Sequence, residues 1–341
     1  MKEYGLNAAQ LLQFEADGFI SPVLLAPPEK RDFLQQAYAE FRHQLQASSE
    51  PEHGWSDLRF RSHLYLPWLS DLLLESDLSG RLIVSARQVL KSDDLVIWSS
   101  DWCVKEPPED RKRAERQGFF SWHQDSTYSG FDGSQAVTFW IAFCDLLDPA
   151  CGPVRFRAGS HKLGQLHHTK NVGEAGNMLA FGQCIEAEAW ASQVEHLGEK
   201  IAFPLRVGEA SIHDFSVVHA SDENLARDAR IGLAVRVVRA DAFAQIDKFA
   251  KRSAAGLAER VTPLSCANHA RLPCDFETLR AHYADVDKWC FEVEPRPSAT
   301  PRPVGSTGLS SPNSDIGCLN EWRISMAREN SAYFGEAETA K

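Results

Sequence analysis

The sequence lacks three features: a CxxC cysteine pair, an apolar run of membrane-spanning length, and an excess of basic residues. Charged residues interrupt the longest apolar runs well before the 18 residues that a transmembrane helix requires, which predicts no membrane span. Lys and Arg number 36 against 47 for Asp and Glu, a formal net charge of −11. Because phosphate-rich partners need a basic patch, we expect neither nucleic acid nor an anionic membrane as a partner.

The eight cysteines are scattered and form no zinc-like group. The first residues, MKEYGLNAAQLLQF, contain no apolar segment of the kind found in secretory signals. Scattered cysteines in a chain without an export signal are typical of free thiols in a reducing compartment. We therefore expect a cytoplasmic protein.

The first 93 residues show helical patterns. Asn7 can cap a helix that Gly18 ends, and a second helix is predicted after Pro27 and Pro28. Two further apolar patches, residues 67–74 and 78–90, also have helical spacing. Residues 1–93 are therefore predicted to form N-terminal helices.

The pattern changes at Asp94, where short runs rich in β-branched and aromatic residues alternate with Gly, Pro, Asp and Asn. Such runs are typical of an antiparallel barrel or sandwich. Beyond residue 240 the helical spacing returns at 242–260 and 275–290, and residues 295–317 are rich in Pro, Ser and Gly. We predict one domain in three parts: N-terminal helices (1–93), a β core (94–240), and C-terminal helices with a Pro/Ser-rich segment (241–341).

The segment WHQDSTY, residues 122–128, places His123 and Asp125 two residues apart. In a strand both side chains would share one face. With one distant histidine they would complete the two-histidine, one-carboxylate face of non-haem Fe(II) oxygenases, which leaves positions open for a co-substrate and O₂. The segment ASIHDFSVVHAS offers two candidates for that histidine, His213 and His219.

Downstream, the segment ARIGLAVR carries Arg230 and Arg236 six residues apart, on one face of an apolar strand. Burying a guanidinium group is costly unless an anion meets it, and an arginine fork binds a carboxylate through two hydrogen bonds. A dicarboxylate co-substrate would supply that anion. The combined pattern fits an oxygenase that uses 2-oxoglutarate. Lys105 could line the mouth of the site, but as a lone lysine after a strand it is expected to face solvent.

The motifs together resemble the phytanoyl-CoA dioxygenase family of Fe(II)/2-oxoglutarate oxygenases. The resemblance extends over residues 6–240 and includes LLQFEADGFI, HLYLPWL, VIWSSDWCVKEP, WHQDSTY, TFWIAFCDLLDPACGPVRFRAGSHK, NMLAFGQCI and HASDENLARDARIGLAVR. It implies a mainly β fold with flanking helices, built on a double-stranded β-helix (a jelly-roll, cupin-like core).

The resemblance also implies roles for individual residues. The iron ligands would be His123, Asp125 and His219, and Arg230 would bind the distal carboxylate of 2-oxoglutarate. Thr138 and Trp140 match positions that line the 2-oxoglutarate pocket in relatives. For Arg236 two roles are open, the same anion or a substrate carboxylate. His213 could lie behind the metal ligands, line the pocket, or be an ordinary structural histidine.

The expected activity is oxidation of an unactivated C–H bond in a small metabolite or natural-product intermediate, by hydroxylation, desaturation or cyclisation. The cofactors would be Fe(II), 2-oxoglutarate and O₂. In similar enzymes that chlorinate, Ala or Gly replaces the carboxylate so that chloride can take its place; the presence of Asp125 therefore argues against halogenation. The alternatives are an acyl-CoA hydroxylase of the same family, a 2-oxoglutarate-independent cupin-type enzyme and a non-catalytic binding module; the acidic balance argues against CoA. The sequence leaves the oligomeric state open.

Overall fold

The computed structural model describes residues 5–47, 62–64, 66–74, 77–108, 118–129, 131, 133–170, 176–179, 183–242 and 262–263. The helices are α1 (Ala8–Asp17), α2 (Arg31–Ala47), α3 (Pro67–Leu74), α4 (Asp77–Leu90), α5 (Ser126–Ser129) and α6 (Ala187–Ala189). The strands are β1 (Phe19–Leu24), β2 (Leu95–Lys105), β3 (Phe120–His123), β4 (Ala136–Ala142), β5 (Val154–Arg157), β6 (His168–Lys170), β7 (Gln183–Ile185), β8 (Glu199–Ile201), β9 (Glu209–Asp214), β10 (His219–Ser221), β11 (Arg230–Arg239) and β12 (Thr262–Pro263).

The predicted start and end of α1 are confirmed. The Asn7 side chain accepts a hydrogen bond from the Gln10 backbone amide at 2.9 Å, and the Gln10 side chain accepts one from the Asn7 amide at 3.0 Å. This reciprocal pair satisfies two of the amide groups that a helix N-terminus leaves free. The helix ends at Gly18, whose φ of 83° lies in the left-handed region that glycine adopts without strain.

The N-terminal part is not entirely helical, which corrects the prediction for residues 1–93. Directly after Gly18 the chain forms β1, which pairs with β9 and joins the large sheet. Phe19, Ile20 and Val23 are buried there. A six-residue strand next to a helix has too few residues for its own periodicity to stand out, so only the pairing with β9 defines it.

Two antiparallel sheets form the β core. The larger has the strand order β1-β9-β4-β11-β2-β12, and the smaller has the order β3-β10-β5-β8. Strands β6 and β7 form a separate pair. Both sheets remain open at their edges within the described part of the chain. This mainly β architecture with flanking helices confirms the predicted fold class.

The helices cover one face of the larger sheet, and the site lies on the other. Leu69 and Leu82 of α3 and α4 share a hydrophobic core with Ile97 and Phe139 of the sheet. Since both of its faces are covered, β4 is buried at all seven positions, which explains why AVTFWIA reads as a nearly continuous apolar run. Full burial of a side chain such as Phe139 stabilises the fold by about 1.5–3 kcal/mol.

None of the described helices is long and apolar enough to cross a lipid bilayer. The predicted C-terminal helices and the Pro/Ser-rich segment lie outside the described residues, apart from residues 241–242 and β12. The sequence also predicts a loop at residues 47–62 and an exposed, charged segment at residues 106–118, and both fall mostly outside the described residues. The division into one domain of three parts therefore stays a prediction.

Candidate metal centre and anion site

Two histidines face each other across neighbouring strands of the smaller sheet. His123 ends β3 and is the direct register partner of His219, which begins β10. Their ring centroids lie 4.1 Å apart. The Nδ1 atom of His123 lies 2.7 Å from the Ser121 carbonyl oxygen, and that of His219 lies 3.1 Å from the Val217 carbonyl oxygen. When Nδ1–H donates to these carbonyls, both Nε2 atoms keep a lone pair for a metal ion.

Asp125 joins this pair from a turn. The sequence placed it on a strand face with His123, but β3 ends at His123 and Asp125 lies in the turn before α5. Its side chain is fully buried, with Oδ1 3.9 Å from His123 Nε2 and 4.0 Å from His219 Nε2. One donor atom from each of the three residues lies within 4.8 Å of the others. The three predicted ligands therefore lie close together, although the prediction that Asp125 lies on a strand with His123 was wrong.

The protonation states suit a divalent cation. Burial alone would raise the pKa of Asp125, but Arg236 and the neighbouring histidines hold it well below its usual range. Burial lowers the pKa of His123 and lowers that of His219 well below 6.5. The site thus offers a carboxylate and two neutral imidazoles, the forms that bind a metal without first losing a proton. On this donor set the residues fit Fe(II).

Gln124 lies between His123 and Asp125 in the sequence, and its hydrogen bonds hold the turn that carries Asp125. Its Nε2 donates to the carbonyl oxygens of Gly164 at 2.8 Å and Ser216 at 2.6 Å, and its Oε1 accepts from the Leu166 amide at 2.8 Å. Its backbone amide donates to His168 Nε2 at 3.2 Å. The alternation of side chains along a strand predicts that Gln124 points away from His123 and Asp125. In the structure its side chain contacts Gly164, Leu166 and Ser216 instead, but nothing in the sequence indicated this hydrogen-bond network.

A row of side chains on the inner face of the larger sheet faces Asp125. Direct register pairing across four strands aligns Ser99, Arg236, Thr138 and His213. The Thr138 hydroxyl donates to the Oδ2 atom of Asp125 at 2.6 Å. Arg236 Nε and His213 Nε2 each lie 3.6 Å from the same oxygen. One carboxylate oxygen thus faces the histidines, and the other faces this row.

Arg236 has a carboxylate neighbour of its own. Its Nη1 forms an ion pair with Asp101 and donates to the Ser99 hydroxyl at 3.2 Å. The Asp101 carboxylate therefore balances the charge of Arg236, which lies close to Asp125 and away from Arg230. Its predicted role in cofactor binding stays a prediction.

Two buried cations lie six residues further along the same sheet face. Arg230 is 1% exposed, and its register partner Lys105 is 3% exposed. Both donate to the Ser221 hydroxyl oxygen, Arg230 Nη1 at 2.8 Å. Burial, followed by repulsion from Arg230, lowers the pKa of Lys105 well below its ordinary value. The expectation that Lys105 faces solvent is wrong, because its strand position points into the core.

Trp140 forms the floor beneath Arg230. The guanidinium carbon lies 4.5 Å from the indole ring centroid, a cation–π arrangement. The indole in turn lies against the backbone of Gly232 on β11, where an added Cβ atom would come within 1.9 Å of Trp140 Cζ2. The absence of a side chain at Gly232 therefore sets the position of Trp140, and Trp140 sets that of Arg230.

Sequence reasoning missed Ser221 and Gly232 as parts of this site, and it favoured a solvent-facing position for Lys105 over one at the mouth of the site. Ser221 could have been found, since a hydroxyl two residues after His219 on a strand shares its face. Gly232 sits inside a strand, which is a sign of close approach by another group. Nothing in the sequence shows that Lys105 lies opposite Arg230.

The comparisons with known proteins agree with this picture. The family model of phytanoyl-CoA dioxygenase (PhyH) matches residues 14–232, more than half of the chain. No curated protein matches the chain in sequence.

Solved structures with similar folds extend over most of the chain. A non-heme monooxygenase, ThoJ in its apo form, has a TM-score of 0.58 at 21% identity, covering 83% of this chain and 97% of its own. EctD from S. alaskensis, with 2-oxoglutarate and 5-hydroxyectoine, has a TM-score of 0.53 at 18% identity, with coverages of 71% and 79%. The non-heme alpha ketoglutarate dependent carbocyclase SnoK from nogalamycin biosynthesis has a TM-score of 0.50 at 18% identity, with coverages of 69% and 85%. At these identities the likeness shows a shared fold.

The family match confirms the predicted enzyme class, a dioxygenase-type oxidoreductase with Fe(II) and 2-oxoglutarate as cofactors. Together with the buried His-Asp-His group, it supports one conclusion: the chain belongs to the phytanoyl-CoA dioxygenase family.

Proposed function

We propose that this protein oxidises an unactivated C–H bond of a small metabolite or natural-product intermediate, by hydroxylation, desaturation or oxidative cyclisation. The observation that carries the proposal is the pairing of two buried groups in one β core. One is a metal-binding set, His123, Asp125 and His219, and the other is the cation Arg230. When bound, Fe(II) and 2-oxoglutarate would activate O₂ as the oxidant, and 2-oxoglutarate would be converted to succinate and CO₂.

His123, Asp125 and His219 would hold the iron through Nε2, Oδ1 and Nε2. The carbonyl contacts at both Nδ1 atoms orient the rings, and Thr138 holds the outer oxygen of Asp125. Three protein ligands leave further positions open for a chelating co-substrate and O₂. The residues thus orient the metal without closing the site.

Arg230 would bind the distal carboxylate of 2-oxoglutarate. Its guanidinium group and the Lys105 ammonium group both donate to the Ser221 hydroxyl, so the two cations lie within two hydrogen-bond lengths of each other. Burying two basic side chains at one point is costly, and an anion bound between them would offset part of that cost. A carboxylate there would gain charge-assisted hydrogen bonds in a dry environment. Trp140, and with it Gly232, keeps Arg230 in place for that anion.

A small substrate is favoured over an acyl-CoA. The net charge of −11 argues against a surface for the CoA phosphates. Neighbours of similar fold include a carbocyclase and a structure with 5-hydroxyectoine bound, both of which concern small molecules. The acyl-CoA hydroxylase remains the alternative within the family. Tight binding of a CoA thioester, together with succinate release, would replace the small-metabolite proposal.

We further propose a cytoplasmic enzyme made of one domain, with no nucleic-acid partner. The described cysteines, Cys103, Cys144, Cys151 and Cys184, are free thiols, which suits a reducing compartment. Cell fractionation tests the location.

The test of the function is anaerobic addition of Fe(II) and 2-oxoglutarate. A chelate bound in this site gives a weak visible charge-transfer band, which His219→Ala should abolish. No band in the wild-type protein, or an unchanged band in the variant, would reject the metal site. Succinate release is then measured against a panel of metabolites. A product mass about 16 units above that of the substrate indicates hydroxylation, and a mass about 2 units below it indicates desaturation or cyclisation.

A further inference from the structure

His213 is a buried histidine that the proposed chemistry does not use as a ligand. It lies on β9, is 2% exposed, and is the register partner of Thr138 on one side and Phe19 on the other. Its ring packs against Phe156 at 5.3 Å between centroids and against His219 at 4.7 Å. The donor set that converges for a metal contains His219 and not His213.

Neither ring nitrogen of His213 has a hydrogen-bond partner among the described residues. An imidazole buried without partners loses its bonds to water and gains none in return, so it destabilises the fold. Between Phe19 and Phe156, a phenylalanine would suit the packing better. A position at which the local environment disfavours the residue present is a candidate for function.

The ring is directed at one atom. His213 Nε2 lies 3.6 Å from Asp125 Oδ2, slightly longer than an N–H···O hydrogen bond. The Thr138 hydroxyl already donates to that oxygen, while Oδ1 faces the two histidine ligands. A shift of about half an ångström would bring His213 into hydrogen-bond range.

We propose that His213 is a positioning residue that, with Thr138, holds the outer oxygen of Asp125, so that the carboxylate presents Oδ1 alone to the metal. The inference rests on the proposed function, because it assigns His213 a task only if the metal binds at His123, Asp125 and His219. Coordination through one oxygen keeps one more position free for 2-oxoglutarate and O₂. Groups behind metal ligands act in this way by fixing the ligand's orientation.

The test separates positioning from packing, because the two roles predict opposite changes for His213→Phe. The phenylalanine variant of the full chain should fold and be at least as stable as the wild type without metal, since an unsatisfied polar group is removed. Its dissociation constant for Co(II) should nevertheless rise about 10- to 100-fold. His213→Gln, whose amide N–H can replace Nε2–H, should restore most of the affinity.

A matched control removes another buried polar atom from the same strand face. The Ser211 hydroxyl, two residues earlier on β9, also lacks a hydrogen-bond partner among the described residues, but it lies opposite Trp140 rather than Thr138. Ser211→Ala should therefore leave the Co(II) affinity unchanged. Thermal unfolding of the metal-free proteins and visible titration with Co(II) provide the two measurements.

Three outcomes would overturn the inference. An unchanged dissociation constant for Co(II) in His213→Phe would show that His213 does not contribute to metal binding. Equal loss of metal-free stability and Co(II) affinity in both the Phe and Gln variants would make His213 structural. Abolished Co(II) binding in both variants, with normal stability, would make it a ligand. Absence of Co(II) binding by the wild type would instead reject the proposed function itself.

Discussion

Gly232→Ala tests whether the backbone of β11 controls co-substrate binding. An alanine Cβ atom at this position would lie 1.9 Å from Trp140 Cζ2. Since nonbonded carbon atoms approach to about 3.5–4.0 Å, the indole must move by roughly 1.5–2 Å. Trp140 is 4% exposed on a strand that is buried along its whole length, so the ring can move only by displacing its neighbours, and Arg230 lies directly over it.

The magnitude follows from what Arg230 loses. Its cation–π contact with Trp140 is worth about 0.5–2 kcal/mol, and its hydrogen bond to Ser221 about 1.5–3 kcal/mol as a charged pair. Partial loss of this support should weaken 2-oxoglutarate binding by about 1.5–3 kcal/mol, roughly 10- to 150-fold in Kd. The overpacking itself should cost about 1–3 kcal/mol of stability.

The assay is calorimetric titration of 2-oxoglutarate into the anaerobic, metal-loaded variant. Gly198→Ala is the matched control, since an added Cβ atom there meets nothing within 4 Å. In a Trp140→Leu background the Gly232→Ala change should have little further effect, because the clashing ring is gone. Wild-type affinity in a folded Gly232→Ala protein would refute the chain of contacts from Gly232 through Trp140 to Arg230.

Three further predictions concern the charged and titrating groups. Arg230→Met should weaken 2-oxoglutarate binding by about 2–4 kcal/mol, since a buried charge-assisted pair is lost. It should scarcely change the binding of a 2-oxo acid without a distal carboxylate, and equal weakening for both acids would contradict the assignment. Lys105→Met should leave the metal-free protein as stable or more stable, because a basic side chain that is costly to bury beside Arg230 is removed. It should weaken 2-oxoglutarate binding in the same calorimetric titration, and unchanged binding would remove Lys105 from the site. Burial lowers the pKa of His168 to about 4. Its Nε2 accepts from the Gln124 amide, so the neutral form is the one that the fold stabilises. Because the unfolded chain binds this proton more readily, the stability from His168 is complete above pH 6.5 and falls by up to about 3 kcal/mol as pH drops to 4. Urea unfolding of the metal-free protein across this range measures the loss, and an identical pH dependence in His168→Asn would disprove it.

Local signals in the sequence correctly predicted the elements that depend on local interactions. The Asn7 cap, the left-handed Gly18 and the helix at residues 67–74 all follow from interactions within a few residues. The same holds for the strand run of β4, whose apolar residues reflect burial on both faces. Strand β1 escaped prediction because its identity comes from pairing with β9, about 190 residues later in the chain.

The sequence also supplied the chemistry of the site. His123, Asp125, His219 and Arg230 stood out by residue type and spacing, because a metal and an anion require those donors in buried strands. Their convergence could be expected, but its geometry could not. Asp125 reaches the histidines from a turn, because Gln124 and its hydrogen bonds hold that turn against the loop at residues 164–168.

Only the tertiary structure decided which side chains contact and support those donors. The two-residue period of a strand tells which residues share a face, but the register between strands is a non-local property that side-chain packing and turn geometry set together. That register places Lys105 opposite Arg230, and it aligns Arg236, Thr138 and His213 in one row facing Asp125. The sequence by itself therefore determined which candidate donor groups are present, while the pairing of distant strands determined how those groups are held.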